Sequence, residues 1–142
     1  MISSSHLHPM LVHFPIALIV VGFIFDIASI LYKKEACLST LGFYLLILGT
    51  LAAIAALFTG AFFTAEMTET AGAVKDTHEL FAWITVGNLI VLSAFRILLK
   101  AQNKENTNLK WIAFALYGLA AISVSVTGFY GGTLVYNYMM PL

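Results

Sequence analysis

Charged residues fall almost entirely into three short stretches, and the chain between them is apolar for longer than a soluble helix requires. The apolar runs cover about 9–32, 38–63, 77–100 and 111–136, and each exceeds the ~20 residues that cross a hydrocarbon core. Short polar connections separate them: Lys33-Lys34-Glu35, the 64–76 stretch with Glu66, Glu69, Gly72, Lys75 and Asp76, and the segment between Lys100 and Lys110. Inside a bilayer the backbone satisfies itself most simply as helix. The pattern therefore predicts one all-α membrane domain over residues 1–142, a transmembrane up-down-up-down four-helix bundle.

Local signals refine the elements. Pro9 suits a first helical position, where a missing N–H costs nothing. Pro15 removes a further hydrogen bond, so helix 1 is expected to kink there or to start there properly. The second run carries Gly49, Ala52, Ala53, Ala55, Ala56 and Gly60, small residues that let membrane helices approach closely. Asp76 followed by Glu79 reads as a capping box that opens the third helix and puts His78 in its first turn. Trp111 opens the fourth run at an interface position.

Composition agrees with the pattern. The chain is 61% hydrophobic and 10% charged, with a mean hydropathy of +0.93, against about a quarter charged for soluble domains. A formal net charge of zero gives no ground for nucleic acid binding. The single cysteine, Cys37, offers no internal disulfide, no c-type haem attachment and no iron–sulfur cluster. No signal peptide is expected, since residues 1–5 lack a basic group and the first apolar run is too long for one. Lys33, Lys34, Arg96, Lys100, Lys104 and Lys110 fall on one side of the bundle and Lys75 on the other. The positive-inside rule then predicts that the first side is cytoplasmic and that both termini and the 64–76 loop lie outside.

All four histidines gather at the outer end, and an intramembrane histidine implies a task. A shift of 65 sets His13 over His78, with Ala17/Ala82, Ile19/Ile84, Val21/Val86 and Gly22/Gly87 coinciding. A shift of 68 sets Thr59-Gly60 over Thr127-Gly128. The chain then reads as two pseudo-symmetric helix hairpins, with helices 1 and 3 diagonally opposed. Packing distances of 8–10 Å between neighbours make that diagonal roughly 12–14 Å. Such a gap suits a flat metallo-cofactor held by one nitrogen from His13 and one from His78, with Gly60 and Gly128 making room for its edges. A lone ion bound by those two residues suits it less, because metal–nitrogen bonds are only about 2.0–2.1 Å. His8 and His13 are too far apart around a helix to chelate as a pair. His8 before Pro9 reads as an N-cap, and His6 as part of a loose terminus. Asp26, within helix 1, reads as the partner of Lys33 or Arg96.

The stretch His-Pro-Met-Leu-Val-His-Phe-Pro-Ile-Ala-Leu at 8–18 resembles the opening of a bacterial family of four-helix membrane proteins known only as a domain of unknown function. The Thr-Gly ending the second helix, the His opening the third and Gly-Gly-Thr-Leu-Val-Tyr at 131–136 carry the resemblance through nearly the whole chain. It implies a redox association, since some members carry a Rieske-type or cytochrome c-type domain on the same chain. The leading expectation is a b-type haem cytochrome, an electron-transfer protein rather than a turnover enzyme, working near the periplasmic face. His13 and His78 would hold the haem iron, and quinone and a periplasmic redox protein would be the partners. The alternatives are a non-haem copper, iron or zinc site from His8, His13, Glu66 and His78, and a cofactor-free assembly subunit. The sequence leaves open whether the chain forms homo- or hetero-oligomers in the lipid.

Overall fold

A computed structural model describes residues 7–64, 67, 69–105 and 107–138. The helices are α1 (Leu7–Leu11), α2 (His13–Leu31), α3 (Ala36–Phe63), α4 (Glu69–Ala101) and α5 (Leu109–Tyr138). Leu7–Leu31, taken as one span, and the three longer helices are each long and apolar enough to cross a membrane. The protein is a multi-pass membrane protein with the expected up-down-up-down order.

The break between α1 and α2 falls at Val12. Pro15 is the cause, since it has no N–H for the carbonyl of Leu11 and its ring crowds that carbonyl. Val12 keeps helical dihedrals (φ −61°, ψ −23°) and its backbone N–H bonds to the carbonyl of His8 (3.1 Å), so the helical path runs on across the break. α1 packs against α3. The chain also turns earlier than the sequence suggests before the third span. α4 starts at Glu69, not near Asp76, and Glu69 enters it with φ 55°. Asp76 therefore lies inside the helix and caps nothing. The segment holds no proline, its one glycine, Gly72, is flanked by the helix formers Ala71 and Ala73, and Lys75 pairs with Glu79 one turn on at 3.5 Å. His78 is consequently more than two turns into the helix.

The helices pack as two hairpins, α2 with α3 and α4 with α5, which then meet more sparingly through α2–α5 and α3–α4. α2 and α4 stand diagonally across the bundle, as the repeat predicts. Glycines set the closeness of α2 to its neighbours. A Cβ at Gly22 would collide with the Tyr117 hydroxyl of α5 and come within 2.9 Å of Leu45 on α3, and one at Gly49 would meet Ile19. Ile19, Leu46, Leu89, Leu92, Tyr117 and Ala120 are fully buried and form the centre of the core. The outward side chains are equally apolar: Phe14, Ile24, Leu31, Leu51, Phe58, Phe62, Trp83, Val91, Ile122 and Phe129 are all more than half exposed. That surface suits lipid and would be untenable in water.

Polar groups inside the bundle are paired across helices. Arg96 on α4 donates to the Asp26 carboxylate on α2 at 2.5 Å, with both side chains about nine-tenths buried. This resolves the choice between Lys33 and Arg96 as the partner of Asp26. Asp26 Oδ1 has no hydrogen-bond donor among the described residues and rests against Gly42, where a Cβ would come within 2.5 Å of it. Thr50 and Ser93 share a hydrogen bond of 2.8 Å at mid-depth, and Thr85 bonds to Ser123 and to Thr127 (3.2 Å) nearer the histidines.

Candidate functional site

α1 packs against α3, and His8 on it reaches the mouth of the bundle. There Nδ1 of His8 lies 3.0 Å from the Ala56 carbonyl and 3.3 Å from the Thr59 hydroxyl. His78 is seated in the same way on the other hairpin, with Nδ1 2.9 Å from the Thr127 carbonyl on α5. A carbonyl only accepts, so each Nδ1 carries the proton and donates it. Each Nε2 is thereby left with its lone pair, the tautomer of a histidine prepared as a metal ligand with a backbone carbonyl as orienting partner. The Thr59 hydroxyl itself donates to the Ala56 carbonyl (3.0 Å).

Glycines make both seats possible. A Cβ at Gly60 would stand 2.9 Å from Cε1 of His8, and one at Gly131 would stand 3.1 Å from Cε1 of His78. In both cases the glycine lies one turn beyond the carbonyl that holds the ring, Ala56 to Gly60 and Thr127 to Gly131. The pseudo-symmetry is therefore visible as two matching imidazole–carbonyl–glycine sets. The sets align His8 with His78, where the sequence repeat aligns His13 with it.

The two rings meet with centroids 6.2 Å apart and planes at 80°. Around them opens a cavity of about 540 Å³. One wall belongs to the first hairpin, with Ala53, Ala56, Gly60 and Ala61, and the opposite wall to the second, with Ala82, Gly128, Gly131 and Gly132. The cavity is thus a slot between hairpins, reaching Pro15 and Tyr136 on the α2–α5 side and Leu57 and Trp83 on the α3–α4 side.

The residues singled out in the sequence distribute as follows. His78 and Gly60 form part of the seats. His13 lines the same cavity from an exposed position and makes no hydrogen bond among the described residues. Gly128 lines the slot, but a Cβ there would meet Ile16 (2.9 Å), and Gly131 does for His78 what Gly60 does for His8. His8, read from sequence as an N-cap, lies within α1 and is the imidazole that meets His78. Glu66 and His6 lie outside the described residues. No group of three or more His, Cys, Asp or Glu placed to hold a metal ion occurs among the described residues. The role of Gly131 was legible only as part of the Gly-Gly pair at the end of the chain. The match of each glycine to the carbonyl four residues before it had no signal in sequence alone.

The sequence matches the family described as Predicted membrane protein (DUF2231) over residues 4–141. The chain belongs to this family. No curated protein and no solved structure matches it. Membership agrees with the four membrane-spanning helices, and the family description names no activity, so any functional reading of this DUF2231 protein rests on the slot and its two histidines.

Proposed function

We propose that this protein is a b-type haem-binding membrane cytochrome, with the iron held between His8 and His78. The observation that carries the reading is the pair of imidazoles, one from each hairpin and each with Nδ1 seated on a backbone carbonyl, that meet within a slot lined by glycine and alanine. Metal–nitrogen bonds of about 2.0–2.1 Å, with about 1 Å more from nitrogen to ring centre, put two imidazoles on opposite sides of one ion roughly 6.3 Å apart. The ring centres here are 6.2 Å apart. Two nitrogens make only half of a tetrahedral set, whereas a porphyrin supplies the other four positions of a six-coordinate iron.

When bound, the haem would supply one-electron chemistry. The protein's own part is to fix both ligand tautomers through Ala56 and Thr127, to keep the walls thin at Gly60 and Gly131, and to exclude water with an apolar lining. The excess of basic residues at the other end supports a reading in which this end faces the periplasm of a bacterial inner membrane. Quinone in the membrane and a periplasmic redox protein are the exchange partners that such a position suits.

The test is an absorption spectrum of detergent-purified protein, air-oxidised and then reduced with dithionite. The expected result is a sharp reduced α-band at about 560 nm, lost in both His8→Ala and His78→Ala and kept in His13→Ala. Protein that stays colourless after expression with added haem precursor refutes the reading. A spectrum lost in His13→Ala but kept in His8→Ala returns the ligand role to the pair that the sequence repeat suggests.

A further inference from the structure

Asn88 stands near the middle of the bilayer with half of its amide unmet. It lies on α4, roughly 13 Å along the helix from Glu79 and roughly 18 Å from Lys100 at about 1.5 Å per residue. Its Nδ2 donates to the Leu116 carbonyl on α5 at 3.1 Å, which fixes Oδ1 as the other end of the amide. Oδ1 and the second N–H have no partner among the described residues. Asp26 Oδ1 is the one enclosed side-chain oxygen or nitrogen without a partner among those residues, so Oδ1 of the half-buried Asn88 is open to the surface. Asn88 does not line the slot, and the surface it reaches is the lipid-facing one. Hydrocarbon neither donates nor accepts a hydrogen bond, so an open amide at this depth is costly until a polar group meets it.

The surroundings allow close approach. Gly87, the preceding residue, is exposed, and a Cβ there would have nothing within 4 Å. Ile84 and Val91, one turn before and after Asn88 on α4, and Leu119, one turn after Leu116 on α5, are about half exposed.

We infer that a second copy of this chain covers this face, with the two Asn88 amides paired across a two-fold axis along the membrane normal. An amide carries a donor and an acceptor side by side and is therefore complementary to itself. Two-fold symmetry brings the same residue of both copies together, and copies inserted the same way hold Asn88 at the same depth. Small residues and interhelical hydrogen bonds are the usual means of association in lipid, where apolar contact alone drives little. The face is separate from the slot, so the inference stands or falls independently of the haem reading.

Single-molecule photobleaching of protein labelled at the exposed Cys37 counts copies in lipid vesicles as the protein-to-lipid ratio rises. The wild type is expected to pass from one copy to two. Asn88→Leu should weaken the association about 10-fold, and Asn88→Gln, which keeps the amide, should retain most of it. Gly87→Leu should weaken it as well. Its side chain meets nothing within its own chain, so it keeps the test valid where Asn88→Leu, which also gives up the bond to Leu116, fails to fold. Ile24→Ala, on the exposed face of α2, should change nothing. A wild type that stays single at every ratio overturns the inference and leaves the Asn88 face to a different membrane protein. A two-copy state unchanged in both Asn88→Leu and Gly87→Leu puts the interface elsewhere and overturns it too.

Discussion

Breaking the Asp26–Arg96 pair from one side should be far more damaging than removing it altogether. The two groups join α2 to α4 across the bundle diagonal, at the end opposite the histidines, and both are about nine-tenths buried. Arg96→Met leaves a carboxylate in the core whose other oxygen already lacks a donor among the described residues. A stranded buried charge of this kind costs about 3–5 kcal/mol. The guanidinium also stands 6.0 Å from the ring centre of Phe43 and 5.9 Å from that of Tyr117, contacts worth about 0.5–1 kcal/mol each. Asp26→Leu strands the arginine at a similar cost. The double variant Asp26→Leu/Arg96→Met strands nothing and should lie within ~2 kcal/mol of the wild type, since apolar replacement of a buried pair is often neutral. The two single losses should therefore fail to add, by about 4 kcal/mol or more. Unfolding in mixed micelles by titration with dodecyl sulfate, followed by far-ultraviolet circular dichroism, measures all four proteins. Additive losses, or single variants that each cost under ~1 kcal/mol, would refute the reasoning.

Other expectations follow from the seats of the histidines and from the packing of the first hairpin. In nitrogen-15 spectra of histidine-labelled protein, both His8 and His78 should carry the proton on Nδ1, and Gly60→Ala should disturb His8 while leaving His78 in that form. Protonation at Nε2 in the wild type would contradict the carbonyl seats. Gly22→Ala drives a methyl group into the buried Tyr117 hydroxyl and to 2.9 Å from Cβ of Leu45, which should cost about 1–3 kcal/mol in the same micellar unfolding assay. No loss of stability there would mean that α2 packs less closely on α3 and α5 than described.

Much of the fold can be read from hydropathy because lipid imposes a simple rule: a span must be long, apolar and internally hydrogen-bonded. All four spans, their order and the diagonal placement of the first and third follow from length and short loops. The start of α4 did not, because Asp76 and Glu79 have the spacing of a cap yet lie inside a helix. What overrides the spacing is the stretch from Glu69, which holds no proline and continues the helix through Gly72. The polar partners were half legible. Asp26 stood out as a buried acid, but Lys33 and Arg96 were equal candidates until the diagonal helices were seen to bring Arg96 onto it.

The site divides along the same line. The sequence by itself determined that histidines from the first and third spans would gather at one end of the bundle, with glycines at the ends of the second and fourth. Only the tertiary structure decided that His8 meets His78. α1 packs on α3, and the His8 ring there reaches the Ala56 carbonyl. Periodicity sets His8 and His13 on different faces of the first span but does not say which face turns to the other hairpin. That choice is settled by packing.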